Sequence, residues 1–335
     1  MDSPLWTETH APAVDDLPQE DVRRYLDRAS EEPINLLLQG PRGCGKTAAA
    51  RALAASAHEH PDTDLVEINV ADFFGRTKAE IASDPRFEPF LAGKSGLTKR
   101  DMINHVLTES ASYPPVSGSY KTILLDNAEA AREDFQHALR RIMERHHRST
   151  QFVIATRQPS SLVSPIRSRC FPVPVRAPTS AETAAILEGI VETEDVEYDR
   201  AGVEFVAGYA KGNLRRAILS AQTTVAESGS LTQSAAFETL GSVGIEDTIN
   251  ELLDDAEAGA FTDARSTLDD LLVDEGLDGA EVLEAILAVA RSRYQGLDVA
   301  RMHQLVGEID VGLQEGATDR IQVGQLLAEL GRDTR

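Results

Sequence analysis

Apolar positions along this chain follow two rhythms. Up to about residue 176 they fall in short runs: Ile34-Asn35-Leu36-Leu37-Leu38-Gln39, stopped by Gly40, and then 65–70, 122–125 and 151–155. Runs of this length bounded by turn residues read as buried strands. Between them lie stretches at helical spacing, 48–57 and 134–145, and strands alternating with helices predict an α/β fold on a parallel sheet. After Arg176-Ala177-Pro178 the short runs stop, and 180–192, opening on Ser180, and 203–210 carry a helical pattern. A second shift at 241–244 leads into five helical segments punctuated at Gly259, Gly276, Gly296 and Gly316. The expected organisation is an α/β domain over 1–178, a helical domain over 179–243 and an all-helical domain over 244–335. Residues 76–100 have no clear period and carry Gly, Pro and Lys, which predicts an inserted surface loop.

Length and charge change this picture in two ways. A chain of 335 residues exceeds one compact core and fits two or three units of about 100 to 200 residues. Its 55 acidic against 33 basic residues give a net charge of −22, a surface that repels phosphate backbones except at local patches. Such an excess suits a salt-rich interior, where screening shortens the reach of self-repulsion, so a salt-adapted, cytoplasmic protein is expected. The most basic stretch, Arg76, Lys78, Lys94, Lys99 and Arg100, is the candidate for a local DNA contact. Two cysteines, Cys44 and Cys170, are too few for a four-ligand zinc site, and with no secretory leader in view a disulfide framework is not expected. No run approaches the roughly 20 apolar residues of a membrane span.

The specific chemistry lies in Gly40-Pro41-Arg42-Gly43-Cys44-Gly45-Lys46-Thr47, which fits GxxxxGK[ST] directly after a predicted strand and before a predicted helix. A plain glycine-rich turn would lack that context. The glycines allow backbone amides to curl around phosphates, Lys46 reaches terminal oxygens and the Thr47 hydroxyl ligates magnesium. Asp126, closing the run Thr122-Ile123-Leu124-Leu125, is the expected magnesium-ordering carboxylate. Hydrolysing sites of this class place Glu next, to deprotonate the attacking water; here the residue is Asn127, and an amide takes no proton. Loss of a general base removes about 10²- to 10⁴-fold in rate, so the site is expected to bind ATP and turn it over slowly. Glu129 would substitute only if the backbone bends there. Cys44 reads as a small packing residue, and His146-His147 as a solvated helix end, because adjacent helical positions do not face each other.

From Asp126 onwards the chain reads Asp126-Asn127-Ala128-Glu129, Ala138-Leu139-Arg140-Arg141-Ile142-Met143-Glu144 and Ser164-Pro165-Ile166-Arg167-Ser168-Arg169-Cys170. This resembles the small subunits of replication factor C, the sliding-clamp loaders of the AAA+ class. The resemblance extends to Glu67-Ile68-Asn69, to Gly212-Asn213-Leu214-Arg215-Arg216 and to 307–322. It implies a P-loop ATPase domain, a helical lid and a helical collar that joins subunits. It also implies Mg-ATP as ligand, and as partners a large subunit, a small-subunit paralogue, the sliding clamp and primer-template DNA. By the same resemblance Arg169 is an arginine finger acting in trans on a neighbour's ATP, and Arg215 is the second sensor. Asn69 matches the residue that restrains the catalytic glutamate, and Arg157, preceded by Thr156, stands at the first-sensor position where Asn is usual. The N-terminal Trp-x-Glu-Lys-Tyr-Arg-Pro pattern reads here Trp6-Thr7-Glu8-Thr9-His10-Ala11-Pro12. These departures cluster at the nucleotide pocket and imply a divergent paralogue whose own site has become structural or regulatory. An altered but active site, with Thr156 or Arg157 orienting water, stays open. So do a purely structural subunit and an independent initiator-type ATPase.

Overall fold

The computed structural model describes residues 4–75, 77–83, 87, 91, 96–116, 118–241, 245–273, 277–314 and 318–333. The chain divides into two compact units, 1–236 and 237–335.

The first unit is built on five parallel strands, β1 (Leu36–Gln39), β2 (Leu65–Asn69), β3 (Lys121–Asp126), β4 (Thr150–Thr156) and β5 (Phe171–Pro174), in the order β2-β3-β4-β1-β5. Both faces of this sheet are covered, which is why its central strands read as unbroken apolar runs. The period of two sends Leu36, Leu38, Leu124, Val153 and Ala155 into one core, shared with α1 (Glu20–Glu31) and α2 (Lys46–Ala57). Leu37, Ile123, Leu125, Phe152 and Ile154 point into the other, shared with α3 (Lys99–Ser112) and α4 (Glu133–His146). Helices α5 (Ser180–Thr193), α6 (Arg200–Tyr209) and α7 (Leu214–Ser228) belong to the same compact unit as the sheet.

Two findings differ from the sequence reading. The edge strand β5 was hidden by its composition, Phe171-Pro172-Val173-Pro174, since proline removes a ladder donor. It forms because Phe171 and Val175 donate their N–H groups to the carbonyls of Asn35 and Gln39, while the two prolines between them point their missing donors at the open edge, where proline is tolerated. In place of the surface loop expected over 76–100, the described residues include a helix, Lys78–Ala82, capped by Thr77 and Glu80 in a reciprocal capping box. Ile81, Phe87 and Leu91 enter the core beside α3, and Phe73 meets Phe87 edge-on at 4.6 Å. Three apolar side chains at irregular spacing made no period, yet they anchor this otherwise exposed stretch to the core.

The second unit holds α8 (Ile245–Glu257), α9 (Phe261–Val273), α10 (Gly279–Arg293), α11 (Leu297–Gln314) and α12 (Asp319–Asp333) among the described residues. Their apolar stripes close one core that includes Ile249, Leu253, Leu268, Ile286, Ile309 and Leu326. Arg293 at the end of α10 ties back to α8 through Asp254 and Glu257, each at 2.6 Å.

Candidate nucleotide site

At the C-terminal end of β1 the chain turns from Gln39 into Gly40-Pro41-Arg42-Gly43-Cys44-Gly45, and α2 starts at Lys46. Gly43 and Gly45 hold φ of 70° and 100°, left-handed values open to glycine and costly for other residues. The loop is also wedged in place: a Cβ on Gly40 would stand 1.9 Å from the carbonyl oxygen of Val175, and one on Gly43 1.9 Å from Oδ1 of Asn213. Lys46 is buried, and its ammonium donates to the carbonyls of Gly40 at 2.9 Å and Pro41 at 2.6 Å. The Thr47 hydroxyl donates to Oδ2 of Asp126 at 2.7 Å, and the other oxygen of Asp126 accepts the N–H of Asn127 at 2.9 Å. A glycine curl at a helix N-terminus, an ammonium at its mouth and a hydroxyl–carboxylate pair beside it form the donor set a magnesium nucleotide requires, so these residues fit that ligand. Burial pushes the Cys44 thiol up against the opposing charge of Lys46, so this cysteine packs and is no nucleophile. Burial likewise pushes the Cys170 thiol up to about 12.

The residues around the water-activating position are all engaged with one another. Asn127 sits at φ 51°, ψ 45°, a left-handed conformation that asparagine tolerates, and its amide donates to Oδ1 of Asn69 at 3.2 Å. Asn69 Oδ1 also accepts the N–H of Asp72 at 3.3 Å. Glu129, with only 12% of its side chain exposed, takes Nε of Arg157 on one oxygen at 2.9 Å. Its other oxygen takes the Thr156 hydroxyl at 2.8 Å and the Arg157 N–H at 3.2 Å. Burial alone would raise the Glu129 carboxyl, but these hydrogen bonds, led by that of Arg157, outweigh it and hold the group below the usual carboxylate range. The Thr156 hydroxyl is further occupied by the N–H of Gln158 at 3.1 Å. The bend after Asp126 that would bring Glu129 forward is therefore present, but it delivers the carboxylate to Thr156 and Arg157.

Helix α7 closes the loop from the other side. Its first N–H, on Leu214, donates to the Gly43 carbonyl at 2.9 Å, and Asn213 caps the helix by accepting from the Arg216 N–H at 3.0 Å. Arg215 is exposed one residue into the helix. The Arg216 guanidinium lies over the Tyr209 ring at 4.4 Å. Three further residues matter here: Gln19, which the sequence did not single out, and Trp6 and His10 of the N-terminal pattern. Gln19 is buried and donates through Nε2 to the carbonyls of Cys44 and Arg176, at 3.3 and 2.7 Å, stitching the phosphate loop to the end of β5. Trp6 is buried, with its N–H on Gln222 of α7 at 3.0 Å, and His10 meets Glu194 after α5 at 2.5 Å. The N-terminal segment thus docks on the helices that follow the sheet.

Arg169 lies elsewhere. Ser168-Arg169-Cys170 comes just before β5, and in a parallel sheet the start of β5 is at the opposite end of the strands from the phosphate loop. Its guanidinium donates to the Pro165 carbonyl at 2.6 Å and to Glu144 at 2.5 Å, and Arg140 approaches the same carboxylate at 3.7 Å. Of the basic stretch, Arg76 and Lys94 lie outside the described residues, as do the side chains of Lys99 and Arg100; Lys78 is exposed. The described residues hold no cluster of three or more His, Cys, Asp or Glu fit for a metal, and no helix long and apolar enough to cross a membrane.

Comparison with known proteins agrees with this geometry. The pattern of the ATPase family associated with various cellular activities (AAA) matches residues 36–175, and that of the replication factor C C-terminal domain matches 246–329. The replication factor C small subunit of Methanocella arvoryzae is 30% identical over 97% of this chain and 95% of its own. That of Archaeoglobus fulgidus is 30% identical over 97% of each, and that of Halobacterium salinarum 29% over 97% and 95%. Among solved structures, the Thermotoga maritima RuvB Holliday junction branch migration motor superposes with a TM-score of 0.55 at 19% identity over 84% of this chain and 91% of its own, a likeness of fold alone. The matches span both compact units, and the chain belongs to the replication factor C small-subunit family of AAA ATPases.

Proposed function

We propose that this protein is a clamp-loader subunit that binds Mg-ATP, hydrolyses it slowly in its own site and supplies Arg169 to the site of a neighbouring subunit. The observation that carries the reading is a division within the site. The nucleotide-holding half is intact in Lys46, Thr47 and Asp126, whereas Asn127 stands where a proton acceptor is needed and turns its side-chain amide onto Asn69. Loop amides and Lys46 would hold the phosphates, and Thr47 with Asp126 the magnesium, which supplies charge neutralisation when bound. Glu129, held low and bonded through both oxygens, offers no substitute base. Arg169 favours action in trans because β1, four residues long, separates it from its own phosphate loop by about 13 Å. The Glu144 contact is a partly exposed ion pair, cheap to exchange for a phosphate. Arg215, on the helix whose N-terminus touches Gly43, is placed by this reading as the second sensor of lid closure. The lid would comprise 179–243 and the collar 244–335, with a large subunit, a small-subunit paralogue, the sliding clamp and primed DNA as partners. The acidic surface supports a salt-adapted setting.

The test is DNA- and clamp-stimulated ATP turnover of the reconstituted loader in high-salt buffer, comparing Arg169→Ala with Lys46→Ala. An arginine finger contributes about 10³- to 10⁵-fold, so Arg169→Ala is expected to abolish the turnover of the neighbouring site while Lys46→Ala changes total turnover little. Intact turnover with Arg169→Ala would remove the trans role.

A further inference from the structure

Strand β4 runs between β1, which leads into the phosphate loop, and β3, which ends in Asp126. Its last residue, Thr156, is in register with Gln39 and its carbonyl accepts the N–H of Gly40 at 3.2 Å. Thr156 and Arg157 therefore stand in the strip between the loop that cradles phosphates and the carboxylate paired with Thr47. A third phosphate running on from the loop toward Asp126 would lie along that strip. A hydroxyl and a guanidinium placed there are the groups that would tell a triphosphate from a diphosphate. In this chain both are turned onto Glu129, which takes three hydrogen bonds from the two residues at 2.8 to 3.2 Å with little exposure to water.

We propose that Glu129 is a specificity-determining positioning residue, an internal anion that occupies Thr156 and Arg157 in the manner of a terminal phosphate, so that the site takes nucleoside diphosphates and triphosphates with nearly equal affinity. The inference rests on the nucleotide-site reading above and deepens it. Because Glu129 neutralises Arg157, a third phosphate gains no net positive charge from this pair. It must also compete with a carboxylate already tethered in contact, whose effective concentration no free ligand matches. Lys46 and the loop still bind the phosphates common to both nucleotides. A subunit of this kind reports that its pocket is filled, not which nucleotide fills it.

The experiment is displacement of a fluorescent nucleotide from the full chain by unlabelled ATP or ADP with magnesium in high potassium chloride. The parent protein is expected to give Kd values for the two nucleotides within about threefold of each other. Glu129→Gln, which removes the internal charge and keeps the side-chain shape, is expected to shift the ratio toward ATP by about tenfold, the worth of one charge-assisted hydrogen bond. The double variant Glu129→Gln/Arg157→Ala is expected to lose that gain. A tenfold ATP preference in the parent, an unchanged ratio in folded Glu129→Gln, or a gain that persists in the double variant would each overturn the proposal. If Glu129→Gln fails to fold, Arg157→Ala decides: it leaves the carboxylate uncompensated and is expected to move the ratio toward ADP, and an unmoved ratio refutes the inference. Failure of the parent to bind either nucleotide would sink the nucleotide-site reading itself, whereas binding with strong ATP preference would sink only the role of Glu129.

Discussion

Gly43→Ala puts the coupling between phosphate loop and helix α7 to a quantitative test. The new Cβ would lie 1.9 Å from Oδ1 and 2.3 Å from Cγ of Asn213, distances at which the asparagine must leave its position. Leaving breaks the cap it makes with the Arg216 N–H at 3.0 Å, and loss of an asparagine cap costs about 0.5–2 kcal/mol. The alanine is also held at φ 70°, and a side chain in the left-handed region costs about 1–2 kcal/mol. Together these predict a loss of about 1.5–4 kcal/mol, or about 3–16 °C in the melting of a unit this size at about 2–4 °C per kcal/mol. Calorimetry of Gly43→Ala, Asn213→Ala and the double variant separates the terms. Asn213→Ala alone should cost about 1 kcal/mol, and in its background Gly43→Ala should cost only the backbone strain, so the two losses fall short of additivity by about the value of the cap. Full additivity, or a Gly43→Ala loss below about 0.5 kcal/mol, would show that the loop and the helix start are not in contact as described.

Two further outcomes follow from the same geometry. Asn127→Glu restores a proton acceptor at the end of β3, and single-turnover hydrolysis in the assembled loader should rise by about tenfold or more, a conservative share of what a general base contributes; no rise would mean that the missing carboxylate is not what limits the site. Lys121 is buried at the start of β3 and donates to the Tyr113 carbonyl, and burial, only partly offset by Asp64, lowers it from the ordinary 10.5 to about 8. The unfolded chain then holds more protons than the folded one between pH 8 and 10.5, so this residue makes stability rise with pH across that window. Denaturation of parent and Lys121→Met at several pH values should show the parent gaining stability relative to the variant across that window, whatever slope the raised Cys44 and Cys170 thiols give to both, and parallel curves would refute it.

The β-strands that carry the phosphate loop and Asp126 were legible because a sheet covered on both faces demands unbroken apolar runs, and because GxxxxGK[ST] needs its strand and helix on either side. The edge strand β5 was not, since its evidence is a pattern of where N–H groups point, which prolines conceal and only the partner strand reveals. At the site, residue types were readable and their pairings were not. Asn127 and Arg157 stood out as departures one at a time, but that Glu129 lies against Arg157 and Thr156 depends on a bend after Asp126 that one left-handed asparagine creates. Gln19 escaped notice for a related reason: its two acceptors are backbone carbonyls at Cys44 and Arg176, 25 and 157 residues away, and main-chain partners leave no trace in side-chain chemistry.

The prolines of β5 have a consequence beyond the strand they disguise. An exposed sheet edge is a template for unwanted pairing with another chain, and proteins must blunt it. Toward its open side β5 presents the carbonyls of Pro172 and Pro174 and no N–H between them. An incoming strand would find acceptors without donors and could complete only half a ladder. The chain thereby closes the cheapest route to fibrous aggregation, leaving side chains to govern which neighbour it accepts.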